Sequence, residues 1–216
     1  MSLYTPGHFV AHEREAIARL MRDNPFATLV TPALPEPWIT HAPLLHVADR
    51  EPHGSLLGHV ARANPHWRHM GGVQSIAVFH GPHAYISPSW YVAPSQAVPT
   101  WNFAAVHVAG GIELIEDPAE TRGVLDLLVA RFEGGRPEPW RFTMPAPQRD
   151  AMVGAIVAFR LVIQRIDAKF KLSQNRPRDD RARVIAALQA EPYPESAATA
   201  AWMATYADPN GGSRTS

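Results

Sequence analysis

Cysteine is absent from this chain of 216 residues. Disulfide frameworks, zinc ribbons and thiol nucleophiles are therefore excluded. Excess charge is also missing, since 20 Lys+Arg stand against 20 Asp+Glu. A chain without net positive charge lacks the long-range field that draws proteins to nucleic acid or anionic membrane. That counts against a stand-alone DNA-binding domain. No apolar run approaches a membrane span. The opening Met1-Ser2-Leu3-Tyr4-Thr5-Pro6-Gly7 has neither the basic nor the apolar region of a secretory signal. The expected compartment is the cytoplasm. No GxGxxG follows a strand, and there is no Walker A loop, zincin helix or Gly-x-Ser-x-Gly elbow. Any nucleotide-type cofactor would have to rest on sheet edges and strand-borne side chains.

Lysine is nearly absent. Of the 20 Lys+Arg, only Lys169 and Lys171 are lysine. The 11 histidines all fall between His8 and His107. His80 and His83 can converge across Gly81-Pro82, but no Cys or carboxylate completes a metal set at a recognisable spacing. No metal is expected.

What is present is an ordinary globular balance, 46% hydrophobic and 19% charged. The length allows one good core, or one core with a small appendage. Residues His12 to Asn24 read as a helix ended by Asn24-Pro25. Strands are expected over Phe26–Thr31, Trp38–Leu45, Ser55–Ala61, Ser75–His80 and His83–Ser87. A Gly81-Pro82 turn would separate the last two. Val98 to Ile115 reads as a long extended stretch kinked at Gly110-Gly111. Asp117-Pro118 opens a helix to about Phe132. A short helix over Gln148–Ile156, a strand over Phe159–Phe170 and helices over Arg178–Leu188 and Ala197–Tyr206 follow. Strands mostly follow strands, which predicts an α+β fold, mainly β, with an antiparallel barrel-like sheet and peripheral helices. One domain is expected over 1–190. Residues 191–216 would form a C-terminal helix and a disordered tail over Asp208–Ser216.

Four segments carry candidate chemistry, the first of them His41-Ala42-Pro43-Leu44-Leu45. On a strand, Lys169, Lys171 and Ser173 share one face, opposite Phe170 and Leu172. The lysines either meet an anion or guard a sheet edge. A strand ending in Arg62 and leading into the Asn64-Pro65 helix start makes a phosphate cradle, because Arg forks onto phosphate. Asn64 equally serves as a structural cap beside a surface Arg. Tyr85, Trp90, Tyr91, Trp101 and Phe103 are aromatics fit for a flavin ring, an interface or a core. Ser87 and Ser89 bond either a ligand or their own backbone.

Several motifs occur in a familiar order. They are Tyr4-Thr5-Pro6 with Phe9; His41-Ala42-Pro43-Leu44-Leu45; and Gly58-His59-Val60-Ala61-Arg62-Ala63-Asn64-Pro65. Next come Gly81-Pro82-His83-Ala84-Tyr85-Ile86-Ser87-Pro88-Ser89-Trp90-Tyr91 and Pro99-Thr100-Trp101-Asn102. The last is Lys169-Phe170-Lys171-Leu172-Ser173-Gln174-Asn175. Together they resemble the PaiB-type FMN-binding negative transcriptional regulators over about residues 1 to 190. The resemblance implies an FMN-binding split β-barrel, similar to pyridoxamine-phosphate oxidases and flavin reductases. It also implies a homodimer with the cofactor at the interface. His41, Leu44, His59, Val60, Ala61 and Asn64 would border the flavin. Arg62, helped by Lys169 or Lys171, would hold the phosphate, and Ser87 and Trp101 would complete the site. The expected function is that of a flavin-binding regulator, with an FMN-dependent oxidoreductase acting on a small molecule as the alternative. Direct DNA binding would have to come from the local basic stretch Arg160 to Arg183, around which no helix-turn-helix pattern appears.

Overall fold

The computed structural model describes residues 3–50 and 52–207. The tail expected to be disordered, 208–216, lies outside the described residues. In chain order the elements are helix α1 (Arg14–Asp23) and strands β1 (Phe26–Thr31), β2 (Trp38–Pro43), β3 (Leu45–Val47) and β4 (Ser55–Ala61). Strands β5 (Gln74–Ile86) and β6 (Thr100–Ile115) follow, then helices α2 (Pro118–Glu133) and α3 (Ala146–Gly154). The chain continues through β7 (Ile156–Lys171), α4 (Arg178–Ala190) and α5 (Pro194–Tyr206). The seven strands are ordered β2-β1-β5-β6-β7-β4-β3. The β1–β2, β1–β5, β3–β4 and β4–β7 pairs are all antiparallel. The class is therefore α+β and mainly β, as strand-after-strand order predicts. No helix among the described residues is long and apolar enough to cross a membrane.

Two departures from the expected elements have physical causes. The strand expected over Trp38–Leu45 breaks at Leu44. That residue donates its N–H to Pro25 O (2.9 Å) and buries its side chain. Gly58 admits it, since a Cβ there would lie 2.5 Å from Leu44 Cδ2. Gly81-Pro82 is not a turn, because β5 runs straight through it. Strand β1 pairs with β5 only at Ile76, Ala77 and Val78. By Pro82 one flank of β5 has no β1 ladder for a missing donor to break. Gly110 lies within the continuous strand β6 and has a packing role there. A Cβ there would overlap Val162 O of β7, so the residue is glycine for close strand approach.

The chain forms two compact units. The first gathers the described residues up to Asp23, His80–His107 and the residues from Asp167 on; the second holds Asn24–Phe79 and Val108–Ile166. In the first unit Phe170, Trp202 and Tyr206 form a ring cluster with centroids 4.8–5.8 Å apart. Arg19 lies over Trp202 and reaches Tyr206 OH at 3.4 Å. In the second unit Leu57 and Ala158 on paired strands meet Ile115 and the α2 residues Val124 and Leu128. Asp117 starts α2 by accepting from Ala119 N at 3.0 Å, the cap expected from Asp117-Pro118.

Candidate functional site

In the second unit the C-terminal end of β4 turns into a tightly bonded loop. Arg62 follows the last β4–β7 pair, Ala61↔Ile156. Its N–H reaches Ala155 O at 2.8 Å. Its Nε donates to Gly154 O (2.6 Å) and its Nη2 to Ile156 O (2.8 Å). The guanidinium is thus held at the C-terminal end of α3, where carbonyls are left over and positive charge is favoured. Arg62 carries five N–H donors; two are spent here, and the residue stays exposed. Arg62 also lines a cavity of about 350 Å³ with Thr121, Arg122 and Asp150, where Arg122 and Asp150 are paired at 3.2 Å.

Asn64 caps the 3-10 turn Pro65–His69, accepting from His66 N at 3.0 Å. Its amide also donates to Thr40 Oγ1 (3.1 Å), and that hydroxyl lies 2.7 Å from His66 Nδ1. Trp38 stacks on His69 and His66, with centroids 4.7 and 6.2 Å away. Trp67 Nε1 donates to Arg62 O at 3.0 Å. The loop that presents Arg62 is therefore fixed from both ends. His66 falls in the candidate segment 58–67, whereas Thr40 and Trp38 lie outside every candidate segment of the sequence. Only the alternation that puts Trp38 and Thr40 on one face of β2 hinted at them.

The remaining predicted residues of this unit divide. His41 is exposed on β2, 3.1 Å from Thr28 Oγ1 and stacked against Phe26. Ala61 is exposed, whereas the side chains of Leu44 and Val60 are buried. His59 is partly buried, and its Nδ1 and His66 Nε2 are enclosed without a hydrogen-bond partner. Burial pushes both imidazoles below the usual histidine range, with His69 adding to the effect on His66.

Ser87, Trp101, Lys169 and Lys171 belong to the first unit. Ser87 caps the 3-10 turn Pro88–Trp90, accepting from Ser89 N at 3.2 Å and bonding Ser89 Oγ at 2.8 Å. Its hydroxyl is used locally. Trp101 is 53% exposed and meets Tyr85 edge-on at 6.2 Å. Lys169 Nζ donates to Tyr4 O (2.8 Å) and lies over the Tyr4 and Phe103 rings. Lys171 Nζ donates to Thr100 Oγ1 (2.5 Å) and Trp101 O (2.8 Å). Burial, with Lys169 nearby, lowers the Lys171 pKa. Both ammonium groups thus meet protein oxygens, and Lys169 meets ring faces as well. Among the described residues no group of three or more His, Cys, Asp or Glu could hold a metal ion.

Residues 3–165 match the family described as "Putative FMN-binding domain". The chain is 35% identical over 196 residues to "Protease synthase and sporulation protein PAI 2" of Bacillus subtilis, covering 90% of this chain and 93% of that protein. An uncharacterized Aspergillus fumigatus protein is 29% identical over 220 residues, covering 78% of this chain and 84% of that one. Among solved structures, the FAD and heme binding protein from Mycobacterium smegmatis superposes with a TM-score of 0.58 at 20% identity. That match covers 74% of this chain and 72% of the other. The flavocytochrome Anf3 from Azotobacter vinelandii gives 0.59 at 18% identity, covering 75% and 69%. At these identities the likeness establishes the fold, that of the flavin-binding split barrels.

Proposed function

The chain belongs to the FMN-binding domain family, and we propose that it is a cytoplasmic FMN-binding regulator or sensor that works as a homodimer. The observation that carries this reading is the presentation of Arg62. A flavin phosphate asks for N–H donors and positive charge, and the end of β4 supplies both. Two carbonyl bonds hold the guanidinium in place, and three of its five N–H groups remain free, five less the two spent. Much of its side-chain freedom is already lost, so less is lost on binding an anion. The exposed Ala61 and His41 and the backbone around Val60 would border the flavin. His59, kept neutral by burial, would add no positive charge there. Bound FMN supplies electron-transfer chemistry through its ring.

The regulatory part of the reading is supported by the name of the Bacillus subtilis relative and by the ordered motifs. Its mode of action is proposed to be indirect. The basic stretch that would touch DNA is partly committed, since Arg181 donates to Arg176 O and Arg183 to Trp90 O. The second reading, an FMN-dependent oxidoreductase, is favoured by the exposed Tyr85–Trp101 edge, where a small molecule could rest.

The test is the visible spectrum of the purified protein with and without added FMN. The expected result is a saturable perturbation of the flavin band at one FMN per chain. A flavin spectrum unchanged by excess protein would sink the reading. Reduction of the bound flavin by NADH or NADPH at a catalytic rate would favour the oxidoreductase. Salt-sensitive binding to duplex DNA would favour direct regulation.

A further inference from the structure

The first unit contains an aromatic cavity of about 340 Å³ that shares Trp101 with the expected flavin site but otherwise takes its walls from elsewhere. It falls at the small end of the roughly 300–1,000 Å³ typical of ligand sites. Tyr85 comes from the end of β5 and Trp101 from the start of β6. Trp90 comes from the Pro88–Trp90 turn, and Tyr193 from just before α5. Two carboxylates, Glu191 and Glu195, line it too, together with the imidazole of His83 and the small side chains of Ala84 and Ser196. Among the described residues neither carboxylate has an ion pair or a side-chain hydrogen bond.

The frame of the cavity is fixed. Arg183 Nε donates to Trp90 O at 3.0 Å, and the buried Asp180 accepts from Val92 N at 2.8 Å. Helix α4 thereby holds the turn that presents Trp90. Trp101 is set by its neighbours, since Asn102 is buried behind it and its own carbonyl accepts from Lys171. His83 leans on Trp101 with centroids 6.2 Å apart. Large rings are kept half-exposed around a space, with Tyr85 at 45%, Trp101 at 53% and Tyr193 at 63% exposure.

Ring faces carry negative quadrupole, and the two carboxylates, neither in an ion pair, add negative charge to walls whose one basic side chain is His83. Such a set attracts a cation with an apolar shell and repels anions such as phosphate. The geometry points to a binding site for a small organic cation of the alkylammonium or quaternary ammonium class. The rings meet the alkyl-ammonium head, and Glu191 and Glu195 balance its charge. The site lies wholly within the first unit and goes beyond the flavin reading. It gives the protein a second ligand through which a regulator could be informed.

The experiment is a calorimetric titration of the full chain with choline, and with 3,3-dimethylbutan-1-ol, which has the same shape without the charge. Choline is expected to bind saturably at one site per chain, at least about tenfold more tightly than the neutral alcohol. Tyr193→Ala should weaken choline about tenfold, and the double variant E191Q/E195Q should weaken it several-fold. Both variants should keep the wild-type FMN titration. Equal affinity for choline and the alcohol would overturn the proposal, leaving only an apolar hollow, as would the absence of saturable binding. A loss of FMN affinity in Tyr193→Ala, or competition between choline and FMN, would reassign the cavity to the flavin ring. Conversion of a dimer to a monomer by Tyr193→Ala, with no choline heat in the wild type, would reassign it to a second copy of the chain.

Discussion

Asn102 and Ser173 hold each other inside the first unit. Asn102 Nδ2 donates to Ser173 Oγ at 2.9 Å, and the hydroxyl lies 3.3 Å from Asn102 Oδ1. Both residues are buried, and Ser173 has a φ of 65°, in the left-handed region. Removing either partner strands a buried polar group, at a cost of about 1–3 kcal/mol. Asn102→Ala and Ser173→Ala should each lower the urea midpoint accordingly. Ser173→Gly should cost less than Ser173→Ala, because glycine accepts positive φ without the Cβ penalty. Equal midpoints for Ala and Gly at 173 would remove backbone strain from the account.

Arg62→Ala should weaken FMN by more than tenfold, since a charge-assisted contact is worth about 1.5–3 kcal/mol and tenfold is about 1.4. It should also lower thermal stability, because Gly154 O and Ile156 O lose their donor. Arg62→Lys keeps the charge without the planar fork, so it should retain part of the affinity and little of the anchoring. A flavin titration unchanged in Arg62→Ala would remove this residue from the phosphate site.

The lysines give a sharper contrast. Lys171 is tied to Thr100 and Trp101, and Lys169 to Tyr4. If these ties are their whole role, the double variant K169Q/K171Q should lose about 1–3 kcal/mol of stability and keep its FMN affinity. A tenfold weaker and less salt-sensitive FMN titration, with stability intact, would instead put an anion on the lysine face.

His66 predicts the acid limb of stability. Burial lowers its pKa in the folded chain below the ordinary 6.5. Between the two values the unfolded chain binds more protons, so stability must fall as pH falls. The contribution is complete above about pH 6.5, is lost on acidification, and levels off below the depressed folded value. His66→Gln should flatten this limb in urea melts taken across pH 7 to 4. His59, also depressed by burial, should keep a residual slope until it too is replaced. An identical pH profile in His66→Gln would show that the imidazole does not titrate with unfolding.

The homodimer makes a solution prediction. Phe26 and Ile39 on adjacent strands of the second unit are 68% and 56% exposed. Sedimentation at micromolar concentration should give twice the chain mass, and Phe26→Asp with Ile39→Asp should shift it toward one. A stable wild-type monomer would refute the dimer. An unaffected dimer in the variant would place the interface on another face.

The sequence determined where two short strands lie, and both Phe26–Thr31, whose burial alternates, and Ser55–Ala61, whose burial does not, have the bounds expected of them. Period-two patterning is local information, so it survives without knowledge of neighbours. Local capping chemistry was legible for the same reason, as at Asp117 and Asn64. The family was legible because its motifs are short and ordered along the chain. What lay opposite each side chain was not. Alternation gave Lys169 and Lys171 a common face, but not the Tyr4 carbonyl or the Thr100 hydroxyl found on it. Gly81-Pro82 reads locally as a turn, yet it runs straight where β1 has already ended. Nor did the local sequence show that Gly110 is the point where Val162 O comes too close for any side chain. Arg62 was singled out for a phosphate, and the carbonyls that orient it come from Gly154 and Ile156, more than ninety residues away. These facts depend on strand pairing between distant segments. Register is set by the joint burial of several strands, and no single segment carries that information.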